Sequence, residues 1–290
     1  MKIALAIATT DRPAVLEGTL QRLARQIRPP DRILVVGAAE SDFPAVSDRP
    51  LGVSFVTCAK GLTKQRNRAL DLLQSDSDLI TFIDDDFIPS RDFFAGIERL
   101  MTEHPEVLAV SGHIIADGIL TAGLTFAEAD RAIAAYEGEG PGELRLVDDT
   151  GTHGANMVLR MSALPKARFD ENLPLYSWLE NLDFTAHFAK VGRVVRTNYF
   201  GGVHLGVKSG RTSGTKLGYS QIANPVYLVA KGTMRKGPAA KMAIRNLLAN
   251  IAKSPVPEPY IDRRGRLKGN FLALVDVLRG GSHPTRILEL

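Results

Sequence analysis

The 290-residue sequence has one cysteine, one tryptophan and no long apolar run. Cys58 alone excludes an intramolecular disulfide and is typical of a protein from a reducing compartment. No segment approaches the roughly 20 apolar residues that span a bilayer. The apolar start is short and is soon followed by Asp11 and Arg12, which is unlike a signal peptide. We therefore expect a cytoplasmic protein, either free or peripheral at the inner face of the cell membrane.

Charge is distributed unevenly along the chain. The net charge is +4, yet residues 231–290 contain twelve bases and four acids, so this tail carries +8 and the preceding body −4. A basic tail favours an anionic partner such as a membrane surface, while a solvated helical surface explains the same composition. We expect no nucleic-acid partner.

The first half alternates strand and helix patterns. Apolar strands are predicted at 2–9, 32–37, 53–58 and 79–83, with helices between them and a helix capped by Ser90 after them. Near-continuous apolar strands alternating with helices are typical of a mostly parallel sheet with helices on both faces. Residues 117–150 predict a long loop with one helix. Two amphipathic helices are predicted after 235, with apolar stripes that we expect to pack on the body of the protein.

Three aspartates directly follow the strand at 79–83. Asp84, Asp85 and Asp86 repel one another unless a cation compensates them. In open α/β sheets ligands bind beyond the carboxyl ends of the strands, and Mg²⁺ or Mn²⁺ prefers hard oxygen ligands that it shares with phosphates. The triplet therefore predicts a metal–diphosphate site. An acidic surface turn before a helix is the alternative.

An ordered set of motifs accompanies the triplet over residues 2–205. The set consists of "ALAIATTDRP", "GLTKQRNRAL", "FIDDDFIP", "GANMVLR", "WLENLDF" and "GGVHLGVKSGR". In order and spacing it resembles the family 2 glycosyltransferases, which are inverting enzymes of the GT-A fold. The resemblance implies a Rossmann-like, mixed and mostly parallel sheet with helices on both faces, in a catalytic domain over 1–205. Residues 206–290 would form a loop and a basic helical extension.

The resemblance also implies a nucleotide-diphosphate sugar donor, held through Mn²⁺ or Mg²⁺. Asp86 would bind the metal, Asp84 the metal or the nucleoside side, and Asp85 the donor ribose or sugar. Arg66 would lie near the donor phosphates. The nucleotide pocket would be lined by Thr9, Thr10, Asp11 and Arg12. Relatives often carry an aspartate for the base after the second strand, where this chain has Gly37 and Ala38, so the base is left open.

Glu180 and Asp183 are the candidates for the catalytic base. Three residues apart, they share one face of a predicted helix. An inverting transfer needs a base that removes the proton of the acceptor hydroxyl. The family usually has two adjacent acids here, whereas this chain has Glu180 followed by Asn181, and an amide accepts no proton at neutral pH. We expect Glu180 to be the base and Asp183 to be the second candidate, with a purely structural acid as the alternative.

Further residues complete the predicted site. The family resemblance implies that His204 is an additional metal ligand. Lys208 and Arg211, on a Gly/Ser-rich segment, would contact the diphosphate as that segment closes. Trp178, His153 and Asn156 are expected on the side of the acceptor, which would be a saccharide or a lipid-linked saccharide.

Two other functions stay open at this point. A nucleotidyltransferase also uses acids at a sheet edge, although the first strand lacks the Gly-rich signature of those enzymes. A nucleotide-sugar-binding protein without catalysis is the other alternative, because Asn181 stands where an acid is expected. Release of nucleoside diphosphate, rather than pyrophosphate, distinguishes sugar transfer from nucleotidyl transfer.

Overall fold

One mixed sheet runs through the first 204 residues. The computed structural model describes residues 1–48, 52–140, 142–209 and 212–290. Its strands are β1 (Ile3–Ala8), β2 (Arg32–Gly37), β3 (Val53–Thr57), β4 (Leu79–Asp84), β5 (Phe87–Pro89), β6 (Val107–Asp117), β7 (Leu146–Asp148), β8 (Asn156–Leu159) and β9 (Arg193–His204). Its α-helices are α1 (Pro13–Leu23), α2 (Leu62–Leu73), α3 (Phe93–Glu103), α4 (Phe126–Glu139), α5 (Glu180–Phe188), α6 (Gly214–Lys231), α7 (Lys236–Lys253) and α8 (Arg263–Leu278).

The strands follow the order β3-β2-β1-β4-β8-β6-β9-β5, and β7 also pairs with β9. The pairs among β3, β2, β1 and β4 are parallel, and so is the pair of β6 with β9. β8 runs antiparallel to both β4 and β6, while β5 and β7 run antiparallel to β9. The mixed, mostly parallel sheet predicted from the sequence is confirmed.

The two faces of the sheet follow from the alternation of side chains along β1. Ile3, Leu5 and Ile7 point to one face, where they pack with residues of α1 and α3. Ala4 and Ala6 point to the other face, where they belong to a core with residues of α2 and α5. Both faces of β1 are therefore buried, which explains why its sequence is apolar at every position.

Two local predictions differ from the structure. Ser90 is not the N-cap of α3, because residues 87–89 are extended as β5 and the helix begins only at Phe93. The Ser90 hydroxyl instead donates to Asp92 at 2.6 Å. The segment 117–150 contains α4 as predicted, but it also contains the short strand β7, which pairs with β9.

The C-terminal helices pack through small and amide side chains. A Cβ atom at Gly218 or Gly269 would lie 2.0 Å from a backbone oxygen of the facing helix, so α6 and α8 touch backbone to backbone. Asn250 of α7 donates to Gln221 at 2.9 Å and to Asn270 at 2.8 Å, and all three amides are buried. The extension therefore combines this buried polar contact with a small apolar cluster that includes Tyr219, Ile222 and Ala273.

The expected packing of the apolar stripes on the body is wrong for most of their residues. Glycine and amide contacts, together with a small apolar cluster that includes Tyr219, Ile222 and Ala273, hold the helices together, and most residues of the predicted stripes lie outside these contacts. Those exposed are Ile244, Leu248, Ile251, Phe271, Val275 and Leu278. No described helix is both long and apolar enough to cross a membrane. The predicted domain boundary at 205 falls between the end of β9 at His204 and the start of α6 at Gly214. The division into two domains stays a prediction.

Gly269→Ala is expected to destabilise the extension, because the new methyl group would meet the Thr215 carbonyl oxygen of α6. Overpacking of this kind costs about 1–3 kcal/mol in the free energy of unfolding. Gly237→Ala is the matched control, since its Cβ meets nothing within 4 Å in α7. It should raise the free energy of unfolding by about 0.5–1 kcal/mol through helix propensity. Denaturant unfolding of both variants checks the pair, and equal effects would contradict the close contact.

Candidate active site

Strand register brings the predicted metal ligands together. Asp84 ends β4, and Asp86 stands immediately before β5, whose Phe87 pairs with His204 of β9. On the other side of β9, His204 pairs with Asp117, the last residue of β6. Asp84, Asp86 and His204 each offer a ligand atom within 4.8 Å of the others. Residues that are far apart in the sequence therefore meet at one edge of the sheet.

This group fits a divalent cation. Two carboxylate oxygens and one imidazole nitrogen form a donor set that suits Mn²⁺. Mg²⁺ also binds carboxylate oxygens, but it has a weaker preference for an imidazole nitrogen. Nδ1 of His204 lies 2.8 Å from Asp117, which leaves Nε2 facing Asp86 at 3.5 Å. A carboxylate on the far nitrogen of a ligating histidine fixes its ring and raises its basicity. Three protein ligands also leave coordination positions for phosphate oxygens.

Protonated His204 compensates the carboxylates when no metal neutralises them. Burial acts to lower the pKa of His204, but the hydrogen bonds with Asp117 and Asp86 and the charges of Asp86 and Asp84 raise it to about 10. Burial likewise acts to raise the pKa of Asp86, and the contacts with His204 and Arg12 and the Val207 amide bring it to about 2. A metal that binds here must therefore displace the proton on His204.

Asp85 lies beneath the site rather than in it. Its side chain is fully buried, accepts a hydrogen bond from Thr9 at 2.7 Å, and forms an ion pair with Arg12 at 2.6 Å. Burial is the main reason that the pKa of Asp85 rises to about 7, against the opposing charge of Arg12. The predicted contact of Asp85 with the donor finds no support in this position. Its contacts instead hold the loop after β1.

A cavity of about 770 Å³ opens above these groups. It is lined by Thr9, Thr10, Asp11, Arg12, Arg66, Asp84, Asp117, His153, Trp178, Glu180, Asn181, His204 and Lys216, among others. Most of the residues predicted for the donor and acceptor therefore border one space. Such a volume is in the range of small-molecule binding sites.

Arg66 joins the two chemical halves of this cavity. Although it lies on a helix, it is buried. One guanidinium nitrogen donates to Glu180, and the other donates to the Gly154 carbonyl at 2.9 Å and lies 3.5 Å from Asp84. The pKa of Glu180 is raised by burial and by the charge of Asp84, against the opposing charge of Arg66. Glu180 is thus a stronger base than an exposed carboxylate, and Arg66 holds it in place.

The segment before α5 is strained. Leu175, Ser177 and Leu179 have positive φ angles of 59°, 54° and 76°. Such backbone costs about 1–3 kcal/mol at each residue with a side chain, and it concentrates at functional sites. The turn places Glu180 at the first position of α5, where Asn181 beside it donates to the Thr152 carbonyl. Asn181 therefore has a structural contact at the position where an acid was expected.

Asp183 lies one helical turn beyond Glu180 and does not border the cavity. Its carboxylate oxygens accept from Lys231 at 2.7 Å and from Thr233 at 2.6 Å. Lys231 also donates to Asp170 at 2.6 Å. The structural alternative for Asp183 is thus supported by its contacts, with Lys231 of α6 as the partner.

The remaining predicted residues divide between the cavity and its surroundings. His153 and Trp178 border the cavity, and burial lowers the pKa of His153. Asn156 does not border it: its side chain is buried and accepts from the Gly112 amide at 2.8 Å. Lys208 donates to the carbonyls of Gly118 and Ile119, both at 2.9 Å. Arg211 lies outside the described residues.

The loop after β2 supports the loop after β1, which borders the cavity. Asp42 is buried and accepts from the backbone amides of Asp11 and Ala38, both at 2.7 Å, and from that of Ala39 at 3.0 Å. Asp11 has a positive φ of 57°, a conformation that aspartate tolerates better than most residues. Asp42 therefore holds together the loops that follow β1 and β2.

Sequence reasoning missed Asp117 and Lys231. Asp117 gives a weak signal, as an acid that ends an apolar strand, but only the register of β6 against β9 shows that it meets His204. Lys231 was counted only as part of a basic tail. Its partner Asp183 lies 48 positions earlier in the chain, a separation that no local pattern reports.

Several solved structures share this fold. A mannosyltransferase from Pyrobaculum calidifontis, solved with GDP-Man and Mn²⁺, is 15% identical with a TM-score of 0.52, over 99% of this chain and 78% of that chain. S. aureus TarS 1–349 with UDP-GlcNAc is 12% identical with a TM-score of 0.54, over 97% and 92%. Glucosyl-3-phosphoglycerate synthase from Mycobacterium tuberculosis, with Mn²⁺ and UDP, is 16% identical with a TM-score of 0.52, over 81% and 82%.

At these identities the similarity shows the GT-A fold. None of the curated proteins compared with this chain matches it. The model of "Glycosyl transferase family 2" matches residues 5–164, which is more than half of the chain and includes the three aspartates. The chain therefore belongs to glycosyl transferase family 2 and is a glycosyltransferase.

Proposed function

We propose that this protein transfers a sugar, with inversion, from a nucleotide-diphosphate donor to a hydroxyl of a saccharide or lipid-linked acceptor. The observation that carries the proposal is one cavity bordered both by the Asp84–His204 edge and by Glu180, with Arg66 between them. Similar structures hold GDP-Man, UDP-GlcNAc or UDP, two of them with Mn²⁺. The synthesis of a surface polysaccharide is the setting that we propose.

At the donor end, Asp84, Asp86 and His204 would hold Mn²⁺ or Mg²⁺, which supplies positive charge to the leaving diphosphate. Arg12 and Lys216 border the same space and add positive charge there. The loop of Thr9, Thr10 and Asp11 would contact the nucleoside. The roles predicted for Lys208 and Arg211 remain predictions, as does a place of action in the cytoplasm or at the membrane.

At the acceptor end, Glu180 would take the proton of the attacking hydroxyl. The hydroxyl oxygen then forms the new bond to the anomeric carbon while the bond to the diphosphate oxygen breaks. The nucleoside diphosphate leaves with the electron pair. Glu180 is favoured over Asp183 because Glu180 borders the cavity, whereas both Asp183 oxygens have partners elsewhere. Trp178 and His153 would contact the acceptor.

A binding protein without catalysis is the second candidate. Asn181 motivates it, but the raised pKa of buried Glu180 supports a working base. The first test is release of nucleoside diphosphate when purified protein, Mn²⁺ and a panel of GDP-mannose, UDP-glucose and UDP-GlcNAc are incubated with saccharide acceptors. Tight binding of a nucleotide sugar with no release over that panel would favour the second candidate.

Asp86→Asn should weaken Mn²⁺-dependent binding of GDP or UDP at least about tenfold, because a charged ligand of the metal becomes a neutral amide. Titration calorimetry with each nucleoside diphosphate, with and without Mn²⁺, measures the change. Asp71→Asn is the matched control, since Asp71 makes an exposed ion pair with Arg168 outside the site. Unchanged affinity in Asp86→Asn would refute the metal assignment.

Glu180→Gln should lower turnover by about 10²–10⁴-fold, the usual contribution of a general base. Affinity for the nucleoside diphosphate should change little, because Glu180 contacts Arg66 and not the predicted metal ligands. Asp183→Asn is the comparison and should act mainly on thermal stability, through the contact with Lys231. If Asp183→Asn abolishes turnover at an unchanged melting temperature, the choice of base is wrong.

Binding of Mn²⁺ should release about one proton per metal near neutral pH, because His204 must lose its proton to become a ligand. With the pKa of His204 raised to about 10, affinity should increase as the pH rises toward that value. Calorimetry in buffers of different ionisation enthalpy counts the protons. Asp117→Asn should reduce the number released, since it removes a carboxylate that raises this pKa. Binding without proton release would contradict the role of His204.

A further inference from the structure

Helices α7 and α8 expose several large apolar side chains, while others such as Met242 and Leu274 pack inward. Leu248 is 58% exposed on α7, and Phe271 and Leu278 are 53% and 87% exposed on α8. Ile244, Ile251 and Val275 are exposed beside them. We call these six residues the outward faces of α7 and α8. Isolated exposed apolar residues are ordinary, but six on two adjacent helices are typical of a surface that binds a partner.

The inward faces explain this arrangement. At about 100° per residue, the exposed residues lie about 80–160° around their helices from Asn250 and Asn270. Those two amides are buried and bonded to each other, and Gly269 contacts the backbone of α6. Small residues and interhelical amide bonds inside, with large apolar residues outside, are the pattern of helices that pack in apolar surroundings.

Positive charge borders the same faces. Lys241 and Arg245 are one helical turn or less from Ile244 and Leu248, and Arg264 and Lys268 precede Phe271 on its side of α8. Helix α7 contains no acid, and α8 contains only Asp276. Among the described residues, Lys241, Arg245 and Lys268 take part in no ion pair. Their charge is therefore available to an external anion.

We propose that the outward faces of α7 and α8 bind the surface of an anionic lipid bilayer. The apolar side chains would enter the boundary between headgroups and acyl chains, and the four bases would contact anionic headgroups. Long basic side chains can keep their charge in the headgroup region while their stems cover apolar surface. The helices would lie on the membrane, in agreement with the absence of a described helix able to cross it.

A second copy of the chain is the competing occupant. A symmetric dimer brings the same patch of each copy together, so the bases of one copy would face the bases of the other. No acid on α7, and one on α8, is available to compensate them. Like charges of this kind oppose association, whereas an anionic surface attracts them. Charge complementarity therefore favours the bilayer.

Flotation of the purified full chain with vesicles tests the proposal without donor or acceptor, so its result is independent of transferase activity. Vesicles of phosphatidylcholine alone are compared with vesicles of phosphatidylcholine and phosphatidylglycerol. We expect binding to the anionic vesicles at least about tenfold stronger than to the neutral ones, and weaker binding at high salt. Equal binding to both, or none to either, overturns the proposal.

Two variants separate the contributions. Leu248→Ser with Phe271→Ser should reduce binding about tenfold or more through lost apolar burial. Arg245→Gln with Lys268→Gln should reduce it about tenfold through lost charge. Ile27→Ser with Lys166→Gln, which changes exposed residues outside the extension, should bind as the unchanged chain does. Full binding by both test variants overturns the proposal. Sedimentation that shows a dimer dissolved by the first variant also overturns it, in favour of a second copy.

Discussion

The arrangement of the rest of the site depends on the need to compensate three adjacent carboxylates at the end of β4. Each lies beside a cation from another part of the chain: Asp84 beside Arg66 of α2, Asp85 beside Arg12 after β1, and Asp86 beside both His204 of β9 and Arg12. Because the triplet cannot stay charged without them, the fold must bring all three cations to one sheet edge. The same requirement positions Glu180, since Arg66 binds it as well.

Strand β9 brings these charged residues together. This strand is paired with β5, β6 and β7, and its last residue lies between Phe87 and Asp117. The aspartates of one strand end and the histidine of another thus have fixed neighbours. A divalent metal that replaces the proton on His204 would put two positive charges in the place of one, so it would compensate the carboxylates more fully than the protonated histidine does.

Much of this site was predictable from the sequence, and the reasons are local. An apolar strand that runs into acids predicts a strand end with ligands, and the spacing of Glu180 and Asp183 predicts a shared helix face. The parts that could not be predicted depend on pairing. Asp117 requires the β6–β9 register, and the partner of Asp183 requires the position of α6. The packing predicted from the apolar stripes of α7 and α8 was wrong for most of their residues. A stripe shows that a helix is amphipathic, but it does not show which side of the helix faces the protein.

The network around Asp183 connects the C-terminal extension to the candidate active site. Lys231, the last residue of α6, bridges Asp170 and Asp183 and so fastens the extension to the helix that begins with Glu180. The loop after β1 is fastened differently, by the three amide bonds to Asp42 and the contacts of Asp85. These contacts lie within the chain, so the conformational entropy lost in fixing the loop is a cost of folding and would not be subtracted again from the affinity for a ligand bound beside it.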